Sequence, residues 1–86
     1  MIENNIVEID GYPTFNNVED EMIRDRNRGN IILNICEDTV MKGGTQEEAW
    51  ATVKRYMSCI PPEHWERTYA AAKVAKAHRY KENLLQ

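Results

Sequence analysis

Four side chains in the first third of the sequence have the chemistry to hold a phosphorylated ligand. Asn27 and Arg28 follow Arg24 by three and four residues, so a helix places both on the same face as Arg24. Arginine presents a planar fork of donors that matches phosphate oxygens, and it stacks on aromatic bases. Tyr12 lies upstream in a Gly-Tyr-Pro turn. These residues predict a compact site in which the arginines bind a phosphate and Tyr12 stacks on a base.

Purely structural roles compete with this interpretation. Asp20 and Arg24 have the spacing of a helical ion pair, which contributes a few tenths of a kcal/mol. Tyr12 could equally fill the core beside its turn. Pro13 holds the turn extended, and the N-terminus of the helix that follows attracts anions. We therefore favour the stacking role for Tyr12.

Sequence motifs of known catalytic sites are missing from the chain. It contains no GxSxG, P-loop, HExxH or GxGxxG pattern. His64 and His78 are fourteen residues apart, too far along one helix to share a metal ion. Two prolines separate Cys59 from His64, so no nucleophile–base geometry follows from their spacing. We expect a protein without catalytic residues, cofactor or metal site.

The stretch from Ile9 to Ile23, I-x-G-Y-x-x-F-x-x-x-E-x-x-x-I, resembles the start of a family of small phage proteins. These helical-hairpin proteins sequester the cyclic-nucleotide messengers of bacterial CBASS immunity. A later helix of the family opens with a tryptophan, as "PPEHWERTYAAAKVAK" does at Trp65. The resemblance implies an oligomeric, non-enzymatic protein that binds its messenger between subunits, with Tyr12 stacking on a nucleobase. Pro13 stands where the family usually has a basic residue.

Two functions are therefore expected. The first is sequestration of a small phosphorylated ligand, with a cyclic dinucleotide as the leading candidate, in the cytoplasm of a bacterial host. The second is that of a small acidic inhibitor or adaptor that binds a host protein through a helical face. An acidic chain is a poor candidate for sequence-independent DNA binding, and no apolar run reaches the ~20 residues of a membrane span.

A long first helix is predicted to position the arginines. Apolar residues recur with a seven-residue rhythm that continues through a glycine, at Val18, Met22, Gly29, Leu33, Cys36 and Val40. This favours one helix over about 17–42, capped by Asn16 or Asn17, with Gly29 where another helix approaches closely. The alternatives are two helices broken at Gly29-Asn30 and a strand through 31–35.

Two more helices are predicted to follow. Gly43-Gly44 ends the first, and Thr45 with Glu48 forms a capping box for a helix over about 45–60. Its apolar face comprises Ala49, Trp50, Val53, Met57 and Ile60. Pro61-Pro62 separates it from a last helix over about 62–84. That helix carries two apolar stripes, one of Trp65, Tyr69 and Ala72 and one of Ala70, Val74, Ala77 and Leu84.

Length and charge complete the prediction. The 86 residues allow one small all-α domain over 1–86, either an antiparallel helical hairpin or a three-helix arrangement with a short extended N-terminal arm. The net charge is −3, although residues 62–86 hold five bases against three acids. Cys36 and Cys59 are expected to be buried thiols in a reducing, cytoplasmic environment. So small a core favours a homo-oligomer.

Overall fold

The computed structural model describes the backbone of residues 7–85 and the side chains of residues 7–81. What was predicted for residues 1–6 and for the side chain of Leu84 lies outside this range. Within it, the chain is mostly helical and forms three helices behind a tiny two-stranded sheet. The elements are β1 (Glu8–Ile9), β2 (Tyr12–Pro13), α1 (Glu21–Met41), α2 (Gln46–Ser58), a 3₁₀ turn (Pro62–His64) and α3 (Trp65–Leu85). The all-α class with an N-terminal arm is confirmed in outline.

Helix α1 is central, and α2 and α3 both pack on it. Helix α2 returns along α1, so that α3 then runs parallel to α1. Ion pairs mark this direction: Arg67 near the start of α3 reaches Glu21 and Asp25 at the start of α1. Arg79, further along α3, bonds to Glu37 in the last turns of α1. The three helices therefore run up, down and up.

The N-terminal arm is a β-hairpin rather than a single extended segment. Ile9 pairs with Tyr12 across a turn in which Asp10 and Gly11 both have positive φ, 55° and 84°. Positive φ at both central residues is the requirement of a type I′ turn, for which Asp-Gly is a favoured sequence. Thr14 N donates to the carbonyl of Val7 at 2.7 Å, which extends the pairing by one bond.

The first helix begins later than predicted. Asp20 is its N-cap, and the Asp20 carboxylate accepts a hydrogen bond from Ile23 N at 3.1 Å. The predicted cap at position 16 or 17 is wrong, because Asn16 has other partners. Asn16 Nδ2 donates to the carbonyl of Cys59, and Asn16 Oδ1 accepts from Arg28 Nη2. Asn16 thus joins the loop before α1 to the end of α2 instead of starting a helix.

The tight turn between α1 and α2 has the predicted location. Gly43 has φ 81°, and its N–H donates to the carbonyl of Val40 while Gly44 N donates to that of Thr39. These two bonds are the pattern of a Schellman motif, in which glycine supplies the left-handed residue. Gly43 therefore sets the C-terminus of α1.

The sequence signals at both ends of α2 are confirmed. Thr45 and Glu48 form the reciprocal capping box, with bonds of 3.1 and 2.8 Å. Pro62 opens the 3₁₀ turn that leads into α3. Trp50 was predicted to belong to the apolar face of α2, but its side chain is half-exposed. The remaining members of that face are buried, namely Ala49, Val53, Met57 and Ile60.

The buried face of α1 differs from the predicted one. Met22 and Val40, two residues of the seven-residue rhythm, are 76% and 69% exposed. The buried positions are Arg24, Arg28, Gly29, Ile31, Ile32 and Ile35. The isoleucines pack with Val53, Tyr56, Met57 and Ile60 and with Ala72 of α3. Hydrophobic periodicity missed this face because two of its positions are arginines.

Gly29 lies where α1 and α3 approach closely, and α1 continues through it without a break. A methyl group built at Gly29 would lie 2.7 Å from the backbone carbon of Ala71 and 2.7 Å from the backbone nitrogen of Ala72. Real side chains essentially never come so close to backbone atoms. The predicted role of Gly29 at a helix–helix contact is confirmed, and both the broken helix and the strand are ruled out. No helix among the described residues is long and apolar enough to cross a membrane.

We expect Gly29→Ala to lower the free energy of unfolding by about 1–3 kcal/mol, the usual cost of overpacking a tight contact. Alanine is the better helix former by about 1 kcal/mol, so propensity alone would predict stabilisation. Urea denaturation of Gly29→Ala, with the exposed substitution Arg26→Ala as control, measures whether the free energy of unfolding falls or rises. A more stable Gly29→Ala would contradict the close contact.

Candidate functional site

A basic cluster lies where the first half of α1 meets the start of α3. It consists of Arg24 and Arg28 on α1, His64 at the end of the 3₁₀ turn, and Arg67 in the first turns of α3. We call these four residues the arginine cluster. Arg28 contacts His64 directly, and Arg24 and Arg67 act on it electrostatically.

Arg28 is the structural member of the arginine cluster. Its side chain is 1% exposed, although it carries a positive charge. Arg28 Nε donates to the carbonyl of Thr14 at 2.8 Å, and Nη2 donates to Asn16 Oδ1 at 2.7 Å. Nη1 lies 3.2 Å from Nδ1 of His64. These three partners, the ones seen among the described residues, are neutral groups, so the buried charge is solvated by dipoles rather than by a carboxylate.

The surroundings of Arg28 disfavour its charge. Burial, followed by the neighbouring charge of Arg24, lowers the pKa of Arg28, and Arg67 acts in the same direction. Asp25 opposes this effect. Arginine nevertheless stays protonated at physiological pH. The consequence is an accumulation of positive charge that the surrounding carboxylates offset only in part.

Arg24 is the member that lacks a full set of partners. Its side chain is 7% exposed, and Nε contacts Asp25 Oδ1 at 3.3 Å. Nη2 is buried and finds no acceptor in the part of the chain that the structure describes. A buried guanidinium nitrogen without an acceptor is destabilising, because desolvation is not compensated. Arg24 is therefore the side chain most in need of an anionic partner.

His64 has a defined tautomer. Arg28 can only donate, so Nδ1 of His64 must accept, and the ring proton resides on Nε2. Burial first, and then the charges of Arg24, Arg28 and Arg67, lower the pKa of His64, while Asp25 raises it. His64 is therefore a neutral imidazole with a donor on the nitrogen opposite Arg28.

Arg67 is the accessible member of the arginine cluster. Its side chain is 46% exposed and pairs with Glu21 at 3.3 Å and with Asp25 at 3.6 Å. The pair with Glu21 is exposed on both sides, so it contributes little, at most about 1 kcal/mol. Arg67 can therefore exchange Glu21 for another anion at small cost.

The structure separates Tyr12 from the arginines. Tyr12 Oη donates to Asp38 Oδ2 at 2.7 Å, and Asp38 is ten residues beyond Arg28 on the same helix. That spacing corresponds to about 15 Å along the axis. Arg24 and Arg28 share a face as predicted, with Asn27 half-exposed between them. The four predicted residues therefore do not form one compact site within a single chain.

Tyr12 combines features of both roles considered for it. Its ring is half-buried and packs against the apolar core. Burial and the Asp38 carboxylate raise the pKa of Tyr12 to about 12. It borders a polar groove of about 540 Å³ between the hairpin and the α1–α2 turn. In this groove Arg55 pairs with Asp10 at 2.9 Å.

Sequence reasoning did not identify His64 and Arg67 as members of the site. Their spacing of three residues at the start of α3 places them on one face. That signal becomes informative only once α3 is known to lie parallel to α1, which brings this face to Arg24. No local motif carries that information.

Arg28→Met should lower the free energy of unfolding by at least about 2 kcal/mol. Methionine conserves much of the apolar stem but leaves buried acceptors at Thr14 and Asn16 with fewer donors, at about 1–3 kcal/mol for each unsatisfied group. The matched control is Arg26→Met on the exposed side of α1, which should change stability by no more than about 0.5 kcal/mol. Equal effects of the two substitutions in urea denaturation would show that Arg28 is not structural.

Stability should also fall on acidification through His64. The folded pKa of His64 lies below its unfolded value of 6.5, so the unfolded state binds more protons below that pH. This contribution to stability is fully present above pH 6.5 and is lost as the pH falls through the folded pKa. His64→Gln should flatten the pH dependence of the free energy of unfolding just below pH 6.5. The control His78→Gln, at an exposed position of α3, should retain this pH dependence. Parallel pH profiles for all three proteins would contradict the assignment.

Comparison with protein-family models, curated proteins and solved structures returned no match to this chain. Within the described residues, no three His, Cys, Asp or Glu side chains converge into a group that could hold a metal ion. Interpretation of the site therefore rests on its own geometry, in which the arginine cluster is the chemically distinctive part.

Proposed function

We propose that the protein binds a small phosphorylated ligand through the arginine cluster and does not catalyse a reaction on it. The observation that supports this is the charge of the cluster. Arg28 contacts His64 at 3.2 Å, and Arg24 and Arg67 both contact Asp25. Among the described residues, Asp25 and Glu21 are the carboxylates that pair with these three arginines. This positive excess occurs in a chain whose net charge is −3.

Electrostatics favours an anion at this position. Two unit charges 4 Å apart near a protein surface interact by about 4 kcal/mol, so like charges held together are costly and a shared counter-ion is strongly favourable. Arginine forks also bind phosphate oxygens with charge-assisted hydrogen bonds. A phosphate would therefore relieve the repulsion among Arg24, Arg28 and Arg67.

A cyclic dinucleotide is the leading ligand in this proposal. Such a molecule carries two phosphates and two bases, whereas one chain offers a single arginine cluster with Tyr12 about 15 Å away. A symmetric homo-oligomer would supply two clusters related by a two-fold axis, which matches a ligand with repeated halves. The ligand would then be held between subunits, as expected for a protein that sequesters an immune messenger in a host bacterium.

The exposed apolar surface of α3 supports association between copies. Val74 is 58% exposed and Tyr80 is 60% exposed, and both lie on the helix that packs only one side on α1. Ala70 and Ala77 are exposed beside Val74. The described part of the stripe predicted for a partner subunit is thus open to solvent.

A panel of cyclic dinucleotides, linear dinucleotides and mononucleotides tests the function by thermal shift. At a ligand concentration of 100 times Kd, binding to the folded state adds about 2.7 kcal/mol, which corresponds to a rise of several degrees in Tm. Tyr12→Phe should keep the shift if the ring stacks, and Tyr12→Leu should reduce it. No shift with any cyclic dinucleotide, at millimolar concentration and with an oligomer verified by light scattering, would refute this ligand class.

A second candidate function is that of an inhibitor or adaptor that binds a host protein. A groove of about 560 Å³ between the last turns of α1 and α3 favours it. Leu33, Val40, Met41 and Tyr80 line the groove, and Met41 is 85% exposed. If the nucleotide panel gives no shift and substitution of Met41 abolishes binding to a stoichiometric host protein, this function replaces the first.

A further inference from the structure

We propose that Arg24 Nη2 and His64 Nε2 form the donor pair of a subsite for a single phosphate group, and that Arg67 turns from its carboxylates to close over it. This inference deepens the proposed function and rests on it for the biological ligand. The subsite itself would accept any accessible phosphate, whether inorganic phosphate or the phosphate of a nucleotide.

Arg24 is the primary evidence for a subsite. Its side chain is more than nine-tenths buried, and Nη2 has no acceptor among the described residues. Among the described residues, its one ionic contact runs through Nε to the neighbouring Asp25, and Nη2 takes no part in that pair. A phosphate oxygen would complete the bonding of this nitrogen in a desolvated position, where a charge-assisted hydrogen bond is strong.

Arg28 prepares the site without binding the ligand. Each of its three nitrogens already has a partner, at Thr14, Asn16 and His64. By donating to Nδ1 of His64, Arg28 fixes the proton on Nε2 and so presents a donor rather than an acceptor to an anion. Arg28 is thus a positioning residue, and Arg24 and His64 are the contacts.

Charges around His64 link phosphate binding to protonation. Arg24, Arg28 and Asp25 face it from α1, and Arg67 faces it from α3. In the free protein the three arginines disfavour the imidazolium. A bound phosphate adds negative charge next to Nε2, so the pKa of His64 should rise and binding should take up a fraction of a proton below pH 6.5.

Arg67 can complete the subsite because its present ion pairs are weak. It is half-exposed, and its two carboxylate contacts at 3.3 and 3.6 Å are long for strong ion pairs. A dianionic phosphate between Arg24 and Arg67 would compete with Asp25, which contacts both arginines. Arg67 would then bond to the phosphate in place of these carboxylates.

Titration of the full chain with inorganic phosphate and with a 5′-mononucleotide, followed by NMR of the His64 ring, tests the subsite. Both ligands should shift the Nε2 and Cε1 resonances of His64 and raise its pKa. Arg24→Gln should weaken binding roughly tenfold or more, the loss of one charge-assisted contact, whereas Arg26→Gln on the exposed face of α1 should have little effect. His78 serves as an internal control whose resonances should not move.

The outcomes separate this inference from the proposed function. If a cyclic dinucleotide binds but Arg24→Gln and Arg26→Gln bind it equally, the subsite is wrong while the function stands. If phosphate binds through Arg24 but no cyclic dinucleotide does, the subsite stands and the ligand class is wrong. The control is chloride at the same ionic strength. If inorganic phosphate at about 50 mM leaves the His64 resonances unchanged relative to this control, the subsite is refuted. Urea denaturation should show that Arg24→Gln still folds, because it loses the Nε contact with Asp25 but no hydrogen bond of Nη2 within the described chain.

Discussion

The buried guanidinium of Arg28 connects three parts of the chain, whose relative positions apolar contacts alone would not fix. From α1 it bonds to the loop before the helix, through Thr14 and Asn16, and to the entrance of α3 through His64. A charge in this position must be fully solvated by protein dipoles, since water does not reach it. The arrangement of loop and helix around it is therefore specific. The same arrangement keeps the neighbouring Arg24 buried, although Arg24 Nη2 has no hydrogen-bond acceptor among the described residues.

Much of the helical framework could be predicted, because its signals are local. Glycine in a left-handed conformation at position 43, the capping box at Thr45 and the paired prolines each act within a few residues of the boundary that they define. Gly29 was also informative, since a small residue inside an apolar rhythm indicates close helix packing. The hairpin at Asp10-Gly11 has an equally local signal in its turn sequence, but its strands are too short for alternation to reveal them.

The site was predictable only in part, for a physical reason. Hydropathy places arginine outside, so the pattern could not show that Arg24 and Arg28 occupy the buried face of α1. Whether an arginine can be buried depends on carbonyl and imidazole acceptors brought from distant segments. Likewise Tyr12 could be located before the first helix, but not about 15 Å beyond Arg28 along the helix axis, because the hairpin carries the ring towards Asp38.

The contact of Gly29 with α3 also bears on how the chain folds. It joins residues more than forty positions apart, whereas α1 and α2 meet across a turn of only a few residues. Closing the longer loop costs more chain entropy, so the α1–α2 pair can form before α3 docks. An opening of α3 alone would leave the α1–α2 pair in place as a partly unfolded state. Because half of the arginine cluster resides on α3 and the turn before it, the same local opening that exposes amides to hydrogen exchange would dismantle the cluster.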